Sequence, residues 1–240
     1  MTTKNKKRVS YYALGASLCV AASLTAQAAD LSITVQNLTP SIYFTPLLVA
    51  AHDADTHLYQ VGHSASLSLQ MMAEGGDISA LASDVMAAGG VTVSNPHQGL
   101  LNPGQMTASF TLDTGDHQYL SLSAMLLPTN DAFAGVDSWK IPSEPGRYHI
   151  YVNAYDAGTE PNNELMVPGA GAPGALGIPA DPSGMTGTGG SGVASEDANT
   201  MVHIHRGSLG DDDAQAGKSD LNNTVHRWLN PVLKVTVIVN

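Results

Sequence analysis

Acidic side chains follow two predicted strands and are the residues best suited to hold a metal ion. Asp156 and Glu160 lie four positions apart in the stretch YDAGTE, and Asp131 lies in PTND, each directly after a predicted strand. Carboxylates around a glycine turn can converge on one hard cation, with backbone carbonyls completing the oxygen ligands. The spacing does not fit an EF-hand loop. These three residues are candidates for calcium if both loops share one end of the fold; the alternatives are a solvated acidic loop and a simple turn at Asn130 and Asp131.

A pair of histidines, His203 and His205 in the stretch VHIHR, is the second candidate. Residues i and i+2 of a strand point to the same face. Two imidazoles on one face can bind zinc or copper, and His149 and His226 could add ligands. A hydrogen-bonded pair without a metal is the simpler interpretation. The pair indicates an alternative function, namely a periplasmic copper- or zinc-binding protein or a metalloenzyme.

The sequence does not predict any other catalytic site. His52 beside Asp53 suggests a base and its orienting group, but adjacent residues of a strand face opposite ways. A Gly-x-Ser-x-Gly elbow is absent from the sequence. The glycines of 184–192 follow no predicted parallel strand and therefore do not predict a phosphate loop. The acidic run 211–213 is typical of a solvated face. We therefore expect a binding domain and no enzyme.

The composition excludes several classes of partner. Of 240 residues, 43% are hydrophobic and only 13% are charged, about half the usual charged share. The net charge is -11, from 10 basic and 21 acidic residues. A chain this acidic repels the phosphates of nucleic acids and anionic lipids. Neither nucleic-acid binding nor membrane insertion of the processed chain is expected, and a protein or glycan is the predicted partner.

Residues 1–28 have the three parts of a secretory signal peptide. A basic segment, Lys4–Arg8, precedes a mostly apolar run, Tyr11–Leu24, and a small-x-small site ends at Ala28. The apolar run is shorter than the roughly 20 residues of a membrane-spanning helix. We therefore expect cleavage after Ala28 and export to the periplasm or the outside of the cell.

The predicted cleavage would also remove the single cysteine of the chain. Cys19 is the single cysteine and lies within the apolar run. As a lipoprotein signal it would be the acylated residue, but Leu18 stands where a small residue is needed. Its removal would leave a protein without thiols, disulfides or cysteine-based zinc sites.

The rest of the chain, 29–240, is predicted to be one all-β domain. Short alternating or apolar segments predict an antiparallel β-sandwich, with strands at 31–37, 42–51, 104–113, 117–127, 147–155, 202–206 and 231–239. Residues 114–116 are predicted to form a hairpin loop between two of them. Helical spacing predicts two short helices within 64–74 and 77–88, capped by Ser66 and Asp77. The segment 167–198, rich in Gly, Pro and Ser, is predicted to be a flexible surface loop.

Six segments in order give the sequence a family resemblance. They are TVQNLTP, FTPLLVAAHDA, LSAMLLPTNDAF, YVNAYDAGTEPNNE, VHIHRG and WLNPVLKVTV. Together they resemble the bacterial spondin domain, which is related to the N-terminal domain of F-spondin. The resemblance extends over about residues 31–240. Any one of these motifs is weakly specific, but six in order are quite specific.

The resemblance implies a fold and a metal site. The family fold is an eight-stranded antiparallel β-sandwich similar to a C2 domain. Animal members hold one calcium ion with three acidic side chains at one end of the sandwich, to which Asp131, Asp156 and Glu160 correspond. The third family ligand is Asp where this chain has Glu160, which lengthens the side chain by one methylene. Adhesion to cells or matrix, the role of the animal proteins, is also implied, although this chain lacks their cysteine-rich repeats.

Overall fold

The computed structural model describes residues 1–2, 29–196 and 199–240. The predicted signal peptide, with Cys19, lies outside the described residues except for its first two. The described chain is mostly antiparallel β-structure with two short helices, which confirms the predicted all-β fold. The elements are β1 Asp30–Asn37, β2 Tyr43–Phe44, β3 Leu48–His52, α1 Leu67–Gly75, α2 Ser79–Ala87, β4 Val91–Ser94, β5 Phe110–Asp113, β6 Tyr119–Leu127, β7 Ala132–Lys140, β8 Gly146–Asp156, β9 His203–Ile204 and β10 Leu233–Val239.

Two packed sheets share one long strand, β8. Its first part, 146–152, pairs with β10, and its last part, 153–156, pairs with β7. The first sheet therefore has the order β5-β1-β10-β8, and the second has the order β8-β7-β6-β3-β4. The two-residue strands β2 and β9 extend the pairing of β6 and β8. Because β8 continues from one sheet into the other, the two sheets are fixed relative to each other.

The main hydrophobic core lies between the two sheets. Alternate residues of a strand share a face, so the alternation in β1 and β10 turns one face of the first sheet inward. Leu31, Ile33 and Val35 of β1 are completely buried. They belong to one cluster with Val235 and Val237 of β10 and with inward residues of β3, β6 and β7. This burial of apolar surface is the main stabilising term of the sandwich.

A second hydrophobic layer covers the outer face of the second sheet. Phe133 of β7 and Met125 of β6 point away from the main core and pack with Leu69 and Met72 of α1. The side chain of Ser66 accepts a hydrogen bond from the backbone N–H of Leu69, which caps α1 as predicted. The two predicted helices are therefore present, and their apolar faces explain why the second sheet is buried on both sides.

Three details of the predicted elements are wrong. Strands β4 and β7 were not predicted. The turn at 114–116 does not form a hairpin, because β5 pairs with β1 while β6 pairs with β3 and β7. The N-cap of α2 is Ile78, and Asp77 instead accepts a hydrogen bond from the backbone N–H of Ser79.

The glycine-rich segment 167–198 has no helix or strand among its described residues. Backbone N–H groups of this segment donate to carboxylates elsewhere: Thr188 and Gly190 to Asp220, and Gly177 to Glu160. Its Ile178 is 1% exposed. The segment is therefore attached to the sandwich at several points, and its flexibility stays a prediction.

The two ends of the sandwich differ in what they carry. At one end Leu31 of β1 lies opposite Val239 of β10, and the backbone N–H of Asn240 donates to the carbonyl of Asp30. The opposite end holds the last residue of β8 and the start of β7. Among the described residues, neither helix is long and apolar enough to cross a lipid bilayer.

Candidate acidic site at one end of the sandwich

Three buried carboxylates lie at the end of the sandwich formed by β7 and β8, and we call them the acidic cluster: Asp131, Asp156 and Glu160. Asp131 immediately precedes β7, and Asp156 is the last residue of β8. Asp156 lies opposite Ala132 in the β7–β8 register, which brings the two loops together. The three residues are 0%, 2% and 1% exposed, respectively. An isolated charge is costly to bury, so this arrangement needs protons, hydrogen bonds or a cation.

Asp131 is bound to the loop that follows β8. Its Oδ2 accepts hydrogen bonds from the backbone N–H groups of Thr159 (2.9 Å) and Glu160 (3.3 Å). The Thr159 hydroxyl donates to the same oxygen at 3.2 Å. Its other oxygen, Oδ1, is buried and has no hydrogen-bond partner among the described residues. Asp131 therefore closes the loop with one oxygen and leaves the other free.

Glu160 has the same division between a bonded and an unbonded oxygen. Its Oε2 accepts from the backbone N–H of Gly177 (2.7 Å) and from the side-chain amide of Asn130 (3.2 Å). Its Oε1 is buried without a hydrogen-bond partner in the described part of the chain. Buried polar atoms are rarely left in this state, so each orphaned oxygen calls for a proton or an ion.

Asp156 acts through its charge on Asp131 and also lies near His203 of the predicted histidine pair. Its Oδ1 accepts from the backbone N–H of Gly158 at 2.8 Å, and its Oδ2 accepts from the side-chain amide of Asn162. Gly158 has φ of +69°, and a Cβ there would lie 2.6 Å from the backbone carbon of Thr200. Glycine is therefore required at this turn for conformation and for space.

Burial and mutual repulsion raise the pKa values of the cluster. Burial is the larger cause that raises the pKa of Asp131 to about 8, and the charge of Asp156 adds to it. Burial likewise raises the pKa of Glu160 to about 7. Within the described residues, neither Asp131 nor Glu160 pairs with a Lys, Arg or His. A cation would replace the protons and offset the repulsion.

The three carboxylates of the acidic cluster are not arranged as a coordination sphere in this structure. No three His, Cys, Asp or Glu side chains in the part of the chain that the structure describes are close enough to hold a metal ion as they stand. The donor chemistry nevertheless suits calcium, which takes carboxylate and amide oxygens in flexible geometry. Binding would require the three carboxylates to turn toward one another, and the two orphaned oxygens are the ones free to do so.

Amide side chains surround the cluster, and their contacts with the carboxylates were not predicted from the sequence. Asn130 donates to Glu160 and also to Oδ1 of Asn163, at 2.9 Å. Asn162 donates to Asp156. These asparagines lie within the stretches PTND and EPNNE, next to the predicted carboxylates, which was the available signal. They orient the acidic side chains and add neutral oxygens near them.

The predicted histidine pair lies beside the cluster, but both ring nitrogens of His205 already have hydrogen-bond partners. Nε2 of His203 is 3.7 Å from Oδ2 of Asp156. His205 is 6% exposed, its Nδ1 accepts from the backbone N–H of Gly207, and its Nε2 lies 3.1 Å from Oδ1 of Asn162. These partners assign the proton to Nε2. Burial lowers the pKa of His205 to about 3, so the ring is neutral.

Both ring nitrogens of His205 have hydrogen-bond partners within the fold. Its ring packs against the indole of Trp228, with centroids 5.0 Å apart. His149 and His226, the proposed additional ligands, contact Thr236 and Asp181 respectively. A transition metal at His203 and His205 stays a prediction, and it would require His205 to give up a hydrogen bond.

Other residues considered in the sequence have structural partners. His52 is completely buried, and its Nε2 lies 2.7 Å from the Ser121 hydroxyl. Asp211 accepts hydrogen bonds from the backbone N–H groups of Lys218 and Ser219. These contacts stabilise the fold and do not join the acidic cluster.

The fold defines an all-β sandwich-like domain that carries three buried carboxylates at one end. The family model described as Spondin_N matches residues 36–171, which is more than half of the chain and includes all three carboxylates. The chain therefore belongs to the spondin N-terminal domain family, as its resemblance predicted. That family is non-enzymatic, and its members are typically secreted. A comparison with curated proteins finds no match.

Proposed function

We propose that this protein is an exported, calcium-binding spondin-type domain that acts as an interaction module for a protein or glycan partner. The observation that carries the calcium part is the pair of orphaned, buried oxygens on Asp131 and Glu160. Both carboxylates have raised pKa values and lack a basic partner among the described residues. Calcium would satisfy these oxygens and fix the two loops at this end of the sandwich.

Calcium is expected to raise the midpoint of thermal unfolding. A ligand that binds only the folded state at 100 times its Kd adds about 2.7 kcal/mol, or roughly 5 to 10 °C for a domain of this size. The measurement is thermal unfolding of the purified protein after chelation, and then with calcium, zinc or copper added separately. Asp156→Asn is expected to abolish the calcium shift, because it removes one charged ligand and keeps the size of the side chain.

Asp212→Asn is the matched control, because Asp212 is exposed and lies in the acidic run 211–213. It removes the same charge and is expected to keep the full shift. A calcium shift that persists in Asp156→Asn would contradict the site. A shift with zinc or copper alone, lost in His203→Ala, would favour the histidine pair instead.

Export is expected to remove the first 28 residues. The basic segment, the apolar run and the small-x-small site before Ala29 support this part of the proposal. Mass spectrometry of the protein recovered outside the cytoplasm is expected to find Ala29 as the first residue. Recovery of the protein only in the cytoplasm with residues 1–28 retained would contradict export.

A further inference from the structure

A groove lies at the same end of the sandwich as the acidic cluster. It has a volume of about 690 Å³ and is open to solvent. It lies between the residues after β1, those after β9 and those before β10. We call it the leucine–arginine groove, after the side chains that line it: Leu38, Leu209, Leu229, Trp228, Arg206 and Arg227.

The apolar part of this groove is unusually exposed. Leu229 is 84% exposed, Leu209 is 41% exposed and Leu38 is 39% exposed, although all three line one cavity. Single exposed leucines are ordinary, but apolar side chains gathered in one groove are a feature of interaction sites. The neighbouring Trp228 is only 5% exposed and gives the groove a firm wall, since its ring also packs on His205.

The charged part of the groove stands out against the rest of the chain. The sequence after residue 28 has only six Lys and Arg residues, three of them Arg, against 21 acidic residues. Two of those three arginines, Arg206 and Arg227, line this groove. In the described residues neither forms an ion pair with a carboxylate. The guanidinium of Arg227 is held in place, because its Nε donates to the carbonyl of Leu209 at 2.7 Å.

We propose that the leucine–arginine groove binds a peptide segment of a partner protein in which acidic residues flank leucine-type side chains. Guanidinium groups bind carboxylates with paired hydrogen bonds, and the exposed leucines offer apolar contact beside them. The negative charge elsewhere on this protein repels an acidic peptide and leaves this groove as the favoured place for it. A second copy of the chain fits less well, because two molecules that each carry six basic and 21 acidic residues after residue 28 repel each other.

The proposal rests on the proposed role as an interaction module, but it does not depend on calcium. The titration is therefore made in EDTA, so that failure of the peptide site and failure of the calcium site are distinguishable. The probe is the blocked peptide acetyl-Gly-Glu-Leu-Leu-Glu-Gly-amide, followed by calorimetry and by tryptophan fluorescence. Trp139 and Trp228 are the two tryptophans, so Trp139→Phe makes the emission report on the groove.

The acidic peptide is expected to bind saturably and to shift the emission of Trp228. Arg206→Gln and Arg227→Gln are each expected to weaken binding about tenfold or more, as for a lost charge-assisted hydrogen bond. Arg147→Gln is the matched control, because Arg147 is exposed and lies at the opposite end of β8. Higher salt is expected to weaken binding, since exposed charges are screened.

Four results would overturn the proposal. One is the absence of saturable binding at millimolar peptide. The second is equal binding of a peptide with Gln in place of both Glu residues, and the third is unchanged binding by both arginine variants. The fourth is binding of decanoate without binding of the peptide, which would assign the groove to an anionic amphiphile.

Discussion

After chelation of divalent cations, the protein is expected to lose stability as the pH rises from 6.5 to 8.5. The folded state keeps protons on Asp131 and Glu160, whose pKa values are raised to about 8 and about 7, while the unfolded state has released them. Where the folded state binds more protons, stability falls with rising pH. This contribution is complete below the ordinary carboxyl pKa and is lost as the pH passes through 7 and 8.

The window above pH 6.5 isolates these two carboxylates from His205. Burial lowers the pKa of His205 to about 3, so between that pH and its ordinary pKa this histidine binds a proton only in the unfolded state. Stability therefore rises with pH because of His205, whereas it falls with pH because of the two carboxylates. The effect of His205 ends near pH 6.5, the ordinary histidine pKa. As the pH rises from 6.5 past the pKa of Asp131, ionisation of this one residue is expected to lower the free energy of unfolding by about 2 kcal/mol, since one pKa unit is worth about 1.4 kcal/mol.

Denaturant unfolding at a series of pH values measures this effect. Asp131→Asn is expected to flatten the slope in EDTA, since the main titrating group is gone. Excess calcium is expected to flatten or reverse the slope for the natural sequence, because metal binding favours the ionised cluster. A free energy of unfolding that stays constant or rises from pH 6.5 to 8.5 in EDTA would contradict the buried, protonated cluster.

Phe133→Ala is expected to destabilise the protein by about 4 kcal/mol, the usual cost of removing a buried aromatic ring. Phe133 is completely buried in the second hydrophobic layer. Its ring packs edge-on against Tyr59 at 5.0 Å and lies 5.8 Å from Tyr155. Its removal would leave a cavity between β7 and the two helices, whose side chains share the same hydrophobic cluster.

The measurement is the midpoint and slope of urea unfolding. The midpoint is expected to fall while the slope stays unchanged, because the surface exposed on unfolding is nearly the same. Tyr151→Ala is the control, since Tyr151 is 61% exposed on the neighbouring strand and its loss is expected to cost less than about 0.5 kcal/mol. A loss below about 1 kcal/mol for Phe133→Ala would show that the helical layer contributes little to stability.

The strands with clear alternation or a long apolar run were predictable, and the short strand β4 and the interrupted strand β7 were not. The segments 31–37 and 231–239 alternate because one face of each meets the core, and both strands are present. Strand β7 was missed because it starts immediately after a turn and contains Gly135 and Asp137. Its register shifts opposite Leu120 and Leu122, which is a bulge that local periodicity cannot reveal.

The acidic residues themselves were visible in the sequence, but their environment was not. The spacing of Asp156 and Glu160 and the position of Asp131 after another predicted strand suggested cation ligands, and the family resemblance pointed to the same three residues. The contact of Gly177 with Glu160 joins residues 17 positions apart through an irregular loop, and no periodic pattern indicates it. The burial of His205 depends on Asn162 and Trp228, which are distant in sequence, so a strand pattern predicts its face but not its hydrogen bonds.

The separation of the two ends of the sandwich determines how the domain would be presented on a support. Strand β8 begins opposite Val239, near the hydrogen bond that joins Asn240 to Asp30, and ends at Asp156. Eleven residues of strand place these points roughly 33 Å apart. A carrier protein or surface linked at Ala29, after the proposed cleavage, or at Asn240 would therefore lie at the end of the sandwich away from the acidic cluster. The carboxylates and the groove would then face away from the support, and either linkage would leave them uncovered.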